Sequence, residues 1–299
     1  DSDSSLTIGQ NLTVTGEFGI SFSTVDVVNN GLILADGENM TFSSSGDNPT
    51  LTNNGTIRLI NDAFFSIREA TLENHGTLEV SGDSRVSAFL AALALHDGCE
   101  ITGGLVQVNE STLALSGTVT NNGQLEILGN EDVQGTLDAD TMLDGTGSVV
   151  FTSFDSHELT PATGGETLTI GPDQTISTSS TARGRILAEV VNNGTVVAAD
   201  QGELALLGAT TGIGVFEART GGTLTITVVD VTDATVSGAA GGVVRLRGPA
   251  AGTGQVDEIG GAGDVHVIDR EVQISGAFAD RVLVVGDRDE FDEEAVARF

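Results

Sequence analysis

The chain of 299 residues is 39% hydrophobic, holds 40 Gly and only 4 Pro, and sets 43 carboxylates against 12 basic residues, all of them Arg, for a net charge of -31. Such a surface repels nucleic-acid phosphates and anionic lipid headgroups, and the longest apolar run, Ala88 to Leu95, is eight residues, too short to span a bilayer. The expected partners therefore include neither nucleic acid nor, by direct insertion, a membrane, and the Gly-rich, Pro-poor composition favours short strands joined by tight turns.

From the start, Leu6, Ile8, Leu12 and Val14 alternate with polar residues as on a half-buried strand. Because the first residue is Asp1 rather than Met, the chain reads as processed, which fits export. One phrase then recurs: Val28-Asn29-Asn30-Gly31-Leu32-Ile33-Leu34, Leu51-Thr52-Asn53-Asn54-Gly55-Thr56-Ile57, Leu72-Glu73-Asn74-His75-Gly76-Thr77-Leu78, Val119-Thr120-Asn121-Asn122-Gly123-Gln124-Leu125, and Val190-Val191-Asn192-Asn193-Gly194-Thr195-Val196. Its glycines are spaced by 24, 21, 47 and 71 residues, close to one, one, two and three times a unit of about 23, the signature of a stacked-repeat architecture. Val86 to Leu95 interrupts the phrase with helix-prone residues. It is read as a coil with an inward-packed strand, a short helical excursion being the alternative.

Single Cys99 allows no intrachain disulfide and reads as a small buried side chain. Asp138 and Asp140, two apart, share one face of a strand, a spacing open to a cation or to acid and base but equally to a solvated acidic face. His75, His96, His157 and His266 match no metal-ligand spacing. Gly260-Gly261-Ala262-Gly263-Asp264 matches part of a calcium-binding nonapeptide only once and off register. No cofactor is expected, and metal binding is left open, with calcium as the candidate cation. The uneven connection around 152–166 is where an outward binding loop would sit. Beyond it the strand pattern runs to Val282 and Val284, and Asp287 to Phe299 is acidic and helix-compatible, a tail or cap.

The fold class follows: all-β, a single parallel β-helix (β-solenoid) over 1–286, with the acidic segment 287–299 at its end. A unit of about 23 residues gives about 13 coils. Asn30, Asn54, Asn122 and Asn193 are expected to stack as a corner ladder, with Asn-Gly supplying a left-handed backbone position.

The Asn-Asn-Gly-Thr-Val/Ile phrase followed by a Gly turn and Leu-x-Leu resembles the right-handed parallel β-helix repeats of bacterial adhesins and autotransporter passengers, and more loosely the pectin-lyase-like superfamily. That resemblance implies secretion, cell-surface or extracellular location, adhesion or matrix building, and brings no catalytic residue. Solenoid ends need caps, and none is evident near residue 6. The leading expectation is thus a secreted, non-enzymatic structural protein whose partner is itself. It would join end to end into a filament or sheath through Leu6, Ile8, Leu12 and Val14 at one end and Val282, Val284, Phe291 and Phe299 at the other. An adhesin segment that binds surface carbohydrate through outward loops comes second. A polysaccharide-acting enzyme comes third, because Trp, Tyr and Lys are all absent.

Overall fold

In the computed structural model the chain is an all-β parallel solenoid of about 12 turns. The structure describes residues 5–15, 18–21, 25–44, 48–129, 133–249, 254–256, 259–267, 272–274, 282–285 and 296–298, with Phe18–Ser21 and the last three of these strands described by their backbone. Its contacts divide into two units, Asp1–Val149 and Val150–Phe299. No described residue is helical, so Val86 to Leu95 carries strands Arg85–Phe89 and Ala92–Leu95, joined through Leu90 with φ of 49°.

A turn of the first unit is represented by Thr50–Asn53, Thr56–Ile60 and Phe64–Arg68. The next, Thr71–Asn74, Thr77–Val80 and Arg85–Phe89, stacks on it in parallel, with Leu51 opposite Leu72, Ile57 opposite Leu78 and Phe65 opposite Val86. Alternate residues point inward, because the side-chain period of a strand is two. Columns such as Val27, Leu51, Leu72, Leu93 and Leu113 are accordingly buried like on like. Each such side chain contributes about 1.5–3 kcal/mol, which is how a chain of 4% aromatics builds a dry core.

The repeated corner carries two asparagine columns, and the inner one is not the column expected from the sequence. The buried ladder runs on the first asparagine: Asn29 Nδ2 donates to Asn53 Oδ1 at 2.7 Å, and Asn53 Nδ2 to Asn74 Oδ1 at 2.6 Å. Asn121 and Asn192 occupy the same buried position, each accepting the N–H of the corner glycine, Gly123 or Gly194, at 3.1 Å. Of the expected residues, Asn54 donates to Asn30 at 3.1 Å on the exposed side, Asn122 accepts from Thr146 N–H, and Asn193 is half-buried. The reason is the pleat. The residue two before the glycine points inward, and the one just before it points out.

The corner glycines are also required for a different reason. Gly31, Gly55, Gly76, Gly123 and Gly194 are not among the positive-φ residues. A Cβ on Gly55 would lie 2.2 Å from Gly31 O, and one on Gly76 2.1 Å from Gly55 O. Backbone stacking against backbone excludes any side chain there.

In the second unit, Glu189–Asn192, Thr195–Ala198 and the nine-residue strand Glu203–Thr211 repeat the pattern. Glu203–Thr211 and Thr223–Val231 run through a corner, pairing with each other on both sides of it. The inward columns Leu204, Leu224, Val244, Val265 and Leu206, Ile226, Leu246, Val267 are continuous. Val282–Val285 pairs in parallel with Asp264–Val267 and antiparallel with Val296–Arg298. The turns number about 12 rather than about 13, and the acidic end carries a short strand where the sequence pattern allowed a helix. Phe291 and Phe299 lie outside the described residues.

Candidate anion-binding groove

Two Arg-x-Arg pairs sit on the outer face of one sheet in the second unit. Arg183 and Arg185 belong to Arg183–Ile186, and Arg245 and Arg247 to Val243–Arg247. Residues two apart on a strand share a face, so each pair projects outward while Ile186 and Leu246 are buried in the core. Between them lie Glu203–Thr211 and Thr223–Val231, in the order Arg185, Ala205, Thr225, Arg245 along one ladder column. Ala205 and Thr225 are short, only 8% and 7% exposed, and form the floor of a groove of about 520 Å³ walled by the four arginines. Ser156, Gly184, Glu203 and Leu207 complete its lining.

The register gives the groove a diagonal. Arg183 stands at one corner, beside the column of Glu203 and Thr223, and Arg247 at the opposite corner, beside Thr227. Three strand spacings and four residues along the strand separate their backbones by roughly 20 Å. The groove is thus shaped for an extended ligand rather than one small anion.

Gly184 is the structural key to the first pair. An added Cβ would meet Phe151 Cδ2 at 2.6 Å and Leu204 Cδ1 at 3.0 Å. The Phe151 ring, fully buried, fills the space that a side chain between Arg183 and Arg185 would need.

The two pairs differ electrostatically. Arg183 Nε lies 3.8 Å from Glu203 Oε2, and Arg185 forms an ion pair with Glu158. Among the described residues Arg245 and Arg247 have no carboxylate partner. Guanidinium groups stay charged at any pH a protein survives. The charge of Arg245 is felt at His266, which follows it in the ladder: burial first, then Arg245, hold the His266 pKa below the ordinary value, against the opposing pull of Asp264. Four of the chain's 12 basic residues thus converge on one groove of a molecule with net charge -31. Planar, always-charged forks with free N–H groups are suited to carboxylate, sulfate or phosphate oxygens.

None of these four was singled out from the sequence. The signal was present, since Arg183-Gly184-Arg185 and Arg245-Leu246-Arg247 are dense in basic residues for a chain so poor in them. The residues that were singled out fall elsewhere. Leu6, Ile8, Leu12 and Val14 all line one apolar hollow of about 210 Å³ in the first unit, where Ile33, Met40 and Phe42 form the inner wall. Leu6 and Leu12 are 45% and 58% exposed there. Val282 and Val284 lie on the strand paired antiparallel to Val296–Arg298, in the other unit.

Asp138 is solvent-exposed and accepts from Thr136 Oγ1 at 3.0 Å, with Asp140 exposed beside it. Cys99 is buried, and burial pushes its thiol pKa up to about 12. Among the described residues no group of three or more His, Cys, Asp or Glu is placed to hold a metal ion. His75 and His96 stack face to face, ring centroids 4.1 Å apart, in the outer corner column, and His96 Nδ1 lies 3.2 Å from Ser116 Oγ. Comparison of the chain with protein-family models, with characterised proteins and with solved structures gives no match.

Proposed function

We infer that the protein is a non-enzymatic binding solenoid whose second unit takes a linear, sparsely charged polyanion, a carboxylated or sulfated polysaccharide, along the arginine groove. The observation that carries this reading is the convergence of Arg183, Arg185, Arg245 and Arg247 on a small-residue floor, two of them without an ion-pair partner among the described residues. Each charge-assisted contact to such a ligand contributes about 1.5–3 kcal/mol. Charge density selects the ligand class. Duplex nucleic acid carries one charge per roughly 1.7 Å and meets the repulsion of the whole acidic surface. A glycan with about one charge per sugar meets far less of it at a Debye length of about 8–10 Å.

This reading belongs with the expectation of a surface-binding segment, and moves the contact from the loop around 152–166 to the sheet face. Isothermal titration with alginate oligosaccharides, dextran sulfate and neutral dextran tests it. Binding of the charged glycans and not of neutral dextran, with fewer ligands bound per chain when the four arginines are changed to Ser, is the expected result. The same affinity and the same number of ligands bound after their removal, or no binding at any salt concentration, overturns it.

A second reading, end-to-end assembly into an extracellular filament, is favoured by the apolar hollow that gathers Leu6, Ile8, Leu12 and Val14. In that reading the antiparallel strand Val296–Arg298 must leave Val282–Val285 or carry the join itself. Mass in solution tests it. A monomer at all concentrations, unchanged by Leu6→Ser and Leu12→Ser, sinks it.

A further inference from the structure

The outer face of the first unit carries a second channel, built from different chemistry. Phe64–Arg68 and Arg85–Phe89 are adjacent parallel strands with Arg85 opposite Phe64, Ser87 opposite Ser66 and Phe89 opposite Arg68. Alternation points the same three pairs outward. The result is a cross. At one end the Arg85 guanidinium lies over the Phe64 ring, 4.7 Å from its centroid. At the other Arg68 lies over Phe89 at 5.2 Å.

Between these two walls, about 13 Å apart along the strand, the floor is Ser66 and Ser87, only 8% and 9% exposed. The floor column continues through Thr41 on one side and Gln107 on the other. Among the described residues neither serine hydroxyl has a hydrogen-bond partner. A hydroxyl on such a floor that has no protein partner and still reaches the surface is completed by water or by a ligand.

We propose that this channel is a second, independent saccharide subsite that takes one uronate-type pyranose ring. Ser66 and Ser87 meet ring hydroxyls, the Phe64 and Phe89 walls meet the C–H surface, and Arg68 or Arg85 meets the carboxylate. A guanidinium held over an aromatic ring needs no carboxylate to keep it in place, and among the described residues neither Arg68 nor Arg85 has one, so their N–H donors are available to a ligand. Either guanidinium serves, because the cross places one at each end. The polar floor distinguishes the site from a purely apolar patch, and the aromatic walls distinguish it from the groove of the second unit.

The test uses the full chain with the four groove arginines changed to Ser, so that this site is read alone. Calorimetry with an alginate hexasaccharide is run on that variant, on the same variant with Ser66→Val and Ser87→Val, and on one with Arg68→Ala and Arg85→Ala. Valine suits an outward strand position, and thermal unfolding checks that each variant remains folded. The groove-less protein is expected to bind, each added pair to weaken binding at least about tenfold, equivalent to about 1.4 kcal/mol, and the hexasaccharide with its carboxyls reduced to alcohols to bind correspondingly more weakly. Phe64 and Phe89 ring resonances are expected to shift on titration. If the groove-less variant shows no binding while the native chain does, the subsite is overturned and the groove reading stands. If binding persists within about twofold after Ser66→Val and Ser87→Val, or with the carboxyls reduced, the assignment of this floor or of the ligand's acid group is overturned.

Discussion

The two outer faces solve one geometric problem with opposite use of charge. In the first unit two guanidiniums are laid on phenyl rings 4.7 and 5.2 Å away, flanking a hydroxyl floor. In the second, four surround a floor of Ala205 and Thr225, two paired to Glu203 and Glu158 and two without a carboxylate among the described residues. Small residues stacked in a ladder column make a channel wherever their neighbours are long. What borders the channel decides what it can hold. The same contrast runs through the corners, where the interior asparagines satisfy one another and leave nothing for a ligand.

Breaking the interior side of that contrast produces the largest effect. Asn53→Ala removes both the acceptor of Asn29 and the donor to Asn74. Leaving such buried groups unsatisfied costs about 1–3 kcal/mol each, whereas exposed Asn54→Ala stays within about 0.5 kcal/mol. Urea unfolding of the two variants measures the difference, and equal losses would contradict a buried ladder.

Next is Gly184→Ala. Its Cβ, 2.6 Å from the buried Phe151 ring, overpacks the core by about 1–3 kcal/mol, and displaces Arg183 and Arg185 from the groove. Stability by denaturant and glycan affinity by calorimetry are both expected to fall, and Phe151→Leu in the same chain is expected to restore part of each.

Within the groove, Arg245→Ala with Arg247→Ala is expected to weaken glycan binding more than Arg183→Ala with Arg185→Ala. Arg183 and Arg185 must give up Glu203 and Glu158 before they engage a ligand, although exposed ion pairs of that kind are worth only about 0–1 kcal/mol. Affinity is also expected to pass through a maximum with added salt. At 0.01 M the Debye length is about 30 Å and the net negative surface repels the polymer, near 0.1 M it is about 10 Å, and at 1 M, about 3 Å, the contacts themselves are screened. A monotonic fall in affinity from the lowest salt would show that the acidic surface does not oppose binding.

The smallest effect is set by pH. Burial first, then His75, hold the His96 pKa below its ordinary 6.5, with Glu73 and Asp138 opposing. A depressed folded-state pKa means that the unfolded chain takes up the proton first. Stability is therefore full above pH 6.5 and is lost as pH falls toward the folded value. His75→Asn, which restores the residue used at Asn30 and Asn54, is expected to flatten that loss in thermal unfolding between pH 7 and 5. Glu166 acts later. Its carboxylate accepts from the Thr163 hydroxyl first and from backbone N–H groups of Thr163 and Gly164, which lowers its pKa to about 2. Its contribution is present above 4.5 and lost as pH falls through about 2.

Much of the architecture was legible because repeat length, strand alternation and the Asn-Asn-Gly corner are local patterns, and each copy reinforces the last. The inward positions of Leu51, Leu72 and Leu93 could be read from the period of two alone. The Arg pairs stood in plain sight as Arg183-Gly184-Arg185 and Arg245-Leu246-Arg247, yet they are 62 residues apart from one pair to the next. Nothing local says that three steps of stacking place them on one face.

By itself, then, the amino-acid order determined an all-β stacked repeat, its unit length, its dry inward columns and its acid excess, because these depend on composition and on periodicities of a few residues. Only the tertiary structure decided which asparagine of each pair is buried, that corner glycines are demanded by a carbonyl 2.1–2.4 Å from where a Cβ would lie, and which arginines share a groove. Those depend on which residue of one turn lies over which residue of the next, and a turn whose length varies by a few residues leaves that register to the packing between coils.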